Sequence, residues 1–190
     1  MIFENCDCAT MAVNPFKFFG ESWVLITAGT RENFNTMTAS WGGLGCLWGR
    51  NVATVYVRPQ RYTYKFLEEN ESFSICTFDK KYKDVLNFCG TNSGRDIDKM
   101  KETGLSAVFS ENAPYFKQAE FVFICKKIYR QDMSEDCFSD SKIIDDWYAQ
   151  DLQKNQTKES IKSFSLANFA KTSSLHRIYI GEIEKCLKKG

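Results

Sequence analysis

A single histidine, His176, is all the imidazole this sequence offers, and no two of its cysteines stand at CxxC spacing. A zinc or iron–sulfur site would have to be gathered from distant thiols, so no metal is expected. No Ser/His/Asp or Cys/His arrangement can be built around His176 from sequence order either. Charge of one sign is also missing. Lys plus Arg total 25 against 24 for Asp plus Glu, so there is no broad positive field to attract nucleic acid or an anionic membrane. Long apolar runs are absent, Ala119 to Cys125 being among the most apolar stretches. Glu4 and Asp7 stand where a secretory signal would need a positive start, and the expected location is the cytoplasm. The glycines match neither GxGxxG nor the phosphate-loop pattern, which disfavours a Rossmann dinucleotide site or an ATPase.

What is present is core-forming material. Apolar residues make up 43% and aromatics 15%, with sixteen Phe, enough for one compact domain over residues 1–190 without disulfides. The eight cysteines (6, 8, 46, 76, 89, 125, 137, 186) are scattered, several within strand-like runs, and are expected to be reduced thiols.

Along the chain, residues 1–20 read as a lead-in arm, with a turn at Asn14-Pro15 and an apolar patch at Phe16, Phe18 and Phe19. Glu21 to Ala28 reads as a buried central strand closed by a turn at Gly29-Thr30. In Asn35 to Gly45, Thr36, Thr38 and Ser40 alternate with Met37, Ala39 and Trp41, which predicts a strand with one hydroxyl face and one apolar face. Gly42, Gly43, Gly45 and Gly49 suit close approach to a flat ring, or equally bulges or a wide turn. Asn51 to Val57 is a strand that stops at Arg58-Pro59. A helical pattern follows over Arg61 to Glu69, then a strand over Ser72 to Phe78. Helices are predicted for Lys80 to Cys89, stopped by Gly90, and from Ser93 as cap to Gly104. Strands follow at Leu105 to Phe109 and Ala119 to Arg130, around a turn at Asn112-Ala113-Pro114. Residues 131–172 give an acidic loop, a helix near 141–152 and little else. His176 to Cys186 returns to strand, with a bulge at Gly181. At least six strands without βαβ alternation favour a mainly β, barrel-type α+β fold with short helical excursions.

The chemistry concentrates at one corner. Arg58 and Arg61 flank the point where strand turns into helix, so two guanidinium groups and the helix N–H donors near Tyr62 and Thr63 can converge on a phosphate. Two solvated arginines at a strand end is the plainer reading. Ser93, Gly94 and Lys99 offer a second cluster, open to the same choice between ligand and ordinary helix cap. Trp41, Trp48, Tyr62 and Phe169 serve either as core or as stacking surface.

Four segments in order, Asn35 to Gly42, Arg58 to Tyr64, Ser93 to Lys99 and His176 to Ile183, resemble the flavin reductase-like, flavoredoxin-type family from about residue 20 onward. The resemblance implies an FMN-binding split β-barrel, usually a homodimer with the flavin near the subunit interface. It implies that Asn35, Thr36, Met37, Thr38, Ala39, Ser40 and Trp41 run along the isoalloxazine ring. Arg58, Arg61, Tyr62 and Thr63 would hold the ribityl phosphate, and Ser93, Gly94 and Lys99 would complete the pocket. His176 is a candidate beside the flavin. The implied activity is an oxidoreductase drawing on NADH or NADPH, with a flavoredoxin-like carrier serving a redox protein partner, or a non-redox FMN-binding module, as alternatives.

Overall fold

The structure, a computed structural model, describes residues 2–11, 13–109, 112–148 and 175–190. Its strands are β1 (Phe3–Asn5), β2 (Val24–Gly29), β3 (Phe34–Ala39), β4 (Gly42–Leu47), β5 (Arg50–Val57), β6 (Ser72–Cys76), β7 (Ala107–Phe109), β8 (Pro114–Phe116), β9 (Phe121–Asp132) and β10 (Arg177–Lys189). Its α-helices are α1 (Tyr62–Glu69), α2 (Lys83–Thr91), α3 (Lys99–Thr103) and α4 (Lys142–Trp147).

The main sheet runs β3-β2-β6-β9-β10-β5-β4, with β1 beside β10, and all its pairings are antiparallel. It bears out the mainly β, split-barrel expectation, and the sheet does not close on itself. The split comes from the two longest strands. The N-terminal part of β10 pairs with β5 and its C-terminal end with β1, while β9 runs beside it throughout. Register shifts at Ile180/Gly181 and Ile183/Lys185 bend the pair, so the bulge expected at Gly181 is present. Only glycine fits there: a Cβ would lie 2.7 Å from the Cys125 Cβ and 2.8 Å from the Phe73 ring.

The six residues of β2 are all buried because both of its faces are covered. Ile26 and Ala28 face a core with Phe73, Ile75, Phe123, Cys125 and Tyr179, while Leu25 faces a second core with Cys76, Phe78, Leu86, Phe116 and Val122. Two apolar faces explain why this segment shows no alternation.

Several expectations are corrected. The N-terminal lead-in arm contains a strand the sequence did not suggest: β1 extends the sheet on β10, and of the apolar patch Phe19 is buried while Phe16 is exposed. Gly42, Gly43 and Gly45 form no wide turn but lie within β4, paired to Val55, Thr54 and Val52. The reversal comes later, at Trp48 (φ 53°) and Gly49 (φ 69°), a two-residue hairpin of the left-handed type. Gly90 does not stop its helix; α2 continues to Thr91, and Gly90 lets it approach Thr38. α3 begins at Lys99 rather than after Ser93, because Asp98 accepts hydrogen bonds from the Met100 and Lys101 amides. Pro114 starts β8, which pairs with β7 as a separate hairpin. The helix near 141–152 is found as α4, and residues 149–174, including Phe169, lie outside the described residues.

Candidate functional site

The site begins at an edge. β3 pairs with β2 alone among the described strands, leaving its outer backbone edge toward α2 and α3. The Thr36 carbonyl accepts from Lys99 Nζ at 2.8 Å, which marks Thr36 as outward-facing on that edge. By the two-residue alternation of an antiparallel strand, the backbone groups of Thr38 face outward too. The hydroxyl face is used within the protein: Thr36 bonds the Thr27 hydroxyl at 2.9 Å, and the Thr38 hydroxyl donates to the Leu86 carbonyl. These hydroxyls fasten β3 to β2 and α2.

The corner follows. β5 ends at Arg58-Pro59, the Arg61 amide closes a turn on the Arg58 carbonyl at 3.0 Å, and α1 starts at Tyr62 with no side chain capping its first turn. Tyr62 and Thr63 of that first turn line a hollow of about 320 Å³ together with Asn35, Arg58, Gln60, Arg61, Ser93, Gly94, Arg95 and Lys99. Arg61 donates to the Gly90 carbonyl at 2.7 Å, Arg95 to the Gln60 carbonyl at 3.2 Å, and Lys99 to the Cys89 carbonyl at 2.6 Å. The Arg95 guanidinium also lies 4.9 Å from the Tyr62 ring centre. Among the described residues, Arg61, Arg95 and Lys99 form no ion pair with a carboxylate. Burial lowers the Lys99 pKa to about 8, opposed by nearby Cys89 and reinforced by Arg61. Burial and then the Arg58 charge lower Arg61 as well. A cluster of cations held together against these costs is a place for an anion.

A second hollow of about 330 Å³ adjoins it, lined by Met37, Thr38, Ala39, Ser40, Trp41, Tyr56, Arg58, Arg61, Trp147 and His176. Met37, Arg58 and Arg61 line both, so the two form one cleft with a cationic and an aromatic end. At the aromatic end the Trp41 ring lies 5.0 Å from both His176 and Trp147. His176 Nδ1 is 2.7 Å from the Tyr148 hydroxyl. Burial, followed by the charges of Arg58 and Arg61, lowers the His176 pKa to about 4, so the imidazole is neutral at pH 7. Arg58 reaches the same end, donating to the Trp147 carbonyl at 2.7 Å, with its guanidinium 4.9 Å from the Tyr148 ring centre.

The expected residues Asn35, Met37, Thr38, Ala39, Ser40, Trp41, Arg58, Arg61, Tyr62, Thr63, Ser93, Gly94 and Lys99 line this cleft. Thr36 lies outside both hollows. His176 stands at the aromatic end. Sequence reasoning passed over Gln60, Arg95, Tyr56 and Trp147. Arg95 was readable as a third cation in the Ser-Gly-Arg segment, whereas Trp147 comes from a distant helix with no local signal. A hollow of about 390 Å³ elsewhere, lined by Gly29, Arg31, Asn70 and Phe109 among others, gathers no comparable set of donors. Among the described residues no group of three or more His, Cys, Asp or Glu is placed to hold a metal. No helix there is long and apolar enough to cross a membrane.

An open antiparallel sheet bent by two shared strands, with a cleft between its edge strand and a strand-to-helix corner, defines a split-barrel protein with a bipolar site. The family model for the flavin reductase like domain matches residues 16–189, and the chain belongs to that family. The fold is similar to that of a flavoredoxin from Methanosarcina acetivorans (TM-score 0.62, 16% identity, 88% of this chain and 68% of that one). It is similar too to the FMN-binding domain of a flavin reductases-like enzyme from Shewanella baltica (TM-score 0.63, 15% identity, 98% and 77%). A flavoredoxin of Desulfovibrio vulgaris gives a TM-score of 0.61 at 18% identity over 98% and 77% of the two chains. In sequence, an uncharacterised protein of Aeropyrum pernix is 31% identical over 99 residues, which span 50% of this chain and 37% of that protein.

Proposed function

We propose that this chain is an FMN-binding oxidoreductase of the flavin reductase type. The observation that carries this reading is the continuity of the two hollows through Met37, Arg58 and Arg61, which joins a cationic end to an aromatic end. FMN has the same polarity, a dianionic phosphate at one pole and a flat ring at the other. Arg58, Arg61 and the Tyr62 and Thr63 amides bind the phosphate, with Ser93, Gly94, Lys99 and Arg95 closing that end. The β3 edge from Met37 to Trp41 positions the ring, and its outward backbone groups bias the ring's redox state. Neutral His176, oriented by Tyr148, adds a hydrogen-bonding group without a charge. When bound, the flavin supplies hydride and electron transfer, with NADH or NADPH as donor and free flavin or another acceptor as recipient. Residues 1–190 act as one domain, and the working form is a homodimer in the cytoplasm.

A second reading is a flavoredoxin-like carrier that meets its redox partner directly. It is favoured by the packing of α4 on the ring end, where Trp147 lies edge-on to Trp41 at 84° and narrows the room for a nicotinamide. The likeness to two flavoredoxins supports it too. Both readings require bound FMN, so a purified chain that is colourless and takes up no added FMN rules out both. Anaerobic mixing with NADH and NADPH separates them: rapid bleaching of the flavin identifies the reductase, and bleaching only by dithionite or a redox protein identifies the carrier.

A further inference from the structure

Away from the cleft, on the far end of β10, the structure gathers sulfur. β1 pairs with β10 in the register Phe3↔Lys189, Glu4↔Lys188, Asn5↔Leu187, and the next opposed pair is Cys6 and Cys186. The Cys6 amide continues the ladder by donating to the Cys186 carbonyl at 2.8 Å. Residues opposed in this way have Cα atoms about 5.5 Å apart, close to the most common spacing across a disulfide. The two sulfurs lie 2.7 Å apart, at a sequence separation of 180. Cys8 is within hydrogen-bonding reach of Cys186, and the Met11 sulfur is 3.2 Å from it. Cys186 is 5% exposed, while Cys6 and Cys8 are partly open to solvent.

Isolated buried cysteines are ordinary core residues, as Cys76, Cys89 and Cys125 are here. Cys6 and Cys186 differ in three respects: they face each other across a ladder, their sulfurs touch, and one of the two is reachable from solvent. We propose that Cys6 and Cys186 form an oxidisable dithiol, a modification site that a peroxide converts to a disulfide joining the N-terminal strand to β10. The reaction balances in two steps. The partly exposed Cys6 gives up its thiol proton and attacks a peroxide oxygen as thiolate, breaking the O–O bond; the leaving hydroxide takes up that proton, so the products are a sulfenic acid and one water. The Cys186 thiol then displaces the sulfenic hydroxyl, forming the S–S bond and releasing a second water. Two thiols lose two hydrogens and one hydrogen peroxide becomes two waters. Cys6 is partly open to solvent where Cys186 is buried, so attack begins at Cys6 and Cys186 acts as the resolving partner.

The test is non-reducing peptide mapping of the full chain after one equivalent of hydrogen peroxide, alkylation of remaining thiols and trypsin digestion. The expected product is the peptide of residues 1–17 joined to Cys186-Leu187-Lys188, two hydrogens lighter than the sum, and absent after reduction. Cys8→Ser, which removes the other thiol of the first peptide, retains the cross-link. Both peptides recovered as alkylated thiols would overturn the proposal. A cross-link lost in Cys8→Ser, or one joining Cys186 to another segment, would overturn it equally.

Discussion

The side-chain amide of Asn35 donates to the Thr63 hydroxyl at 2.7 Å, and both residues are buried. This bond ties the start of the edge strand β3 to the first turn of α1, fixing the ring-binding edge relative to the phosphate corner. Gly94 completes the joint, because a Cβ at that position would overlap the Asn35 side-chain oxygen.

Gly94→Ala should therefore act through Asn35. Displacing a buried, hydrogen-bonded amide costs about 1–3 kcal/mol, and part of that falls on the geometry of the cleft. FMN affinity is expected to drop about tenfold in a flavin-fluorescence titration. Unchanged affinity would show that the joint does not position the ligand.

Arg61→Ala should weaken FMN by roughly 10- to 100-fold and riboflavin far less, since a hydrogen bond to a charged group contributes about 1.5–3 kcal/mol. Parallel titrations with the two flavins read this directly. Equal losses would place Arg61 at the ring rather than at the phosphate.

Lys99 gives the cleft a pH dependence. Its pKa in the folded chain is lowered to about 8, so one positive charge leaves the cationic end as pH rises through that value. FMN affinity should be full near neutral pH and decline above about pH 8, beginning later in the complex because the bound phosphate favours the ammonium. Lys99→Met should bind FMN more weakly and lose the alkaline decline. A wild-type affinity that is flat across the range would remove Lys99 from the phosphate site.

His176 gives stability a dependence of its own. Its pKa is near 4 in the folded chain against 6.5 for the unperturbed group, so between these values the unfolded state binds more protons. The stability associated with neutral His176 is complete above about pH 6.5 and is lost as pH falls toward about 4. Urea midpoints measured across this window should fall more steeply for the wild type than for His176→Gln. Identical slopes would mean that His176 takes up protons in the fold as it does in the unfolded chain, and that burial does not hold it neutral.

The parts of the fold that were legible in the sequence are those set by local chemistry. Pro59 cannot continue a ladder, so β5 stops at Val57, and Gly181 marks a bulge because two side chains crowd its Cα. The hairpin glycines were misread because Gly42, Gly43 and Gly45 carry no side chains to show a strand period, while their pairing with β5 is a tertiary fact. Ser93 and Asp98 compete as helix caps five residues apart; the Ser93 hydroxyl accepts from the Arg95 amide in a turn, whereas the Asp98 carboxylate accepts from both the Met100 and Lys101 amides, which sets the later start. The phosphate end of the site was readable because Arg58, Arg61 and the helix start lie within six residues. The aromatic end was only half readable: Trp41 belongs to the same stretch, but Trp147 and Tyr148 reach it from α4, far along the chain.

β10 carries His176 just before its first residue and Cys186 near its last, and it belongs to both halves of the split sheet. The two halves therefore share a spine, and loss of β10 as a whole removes hydrogen-bonded partners from β5, β9 and β1 alike. One strand therefore runs from the cleft, at its His176 end, to the sulfur cluster at its other end.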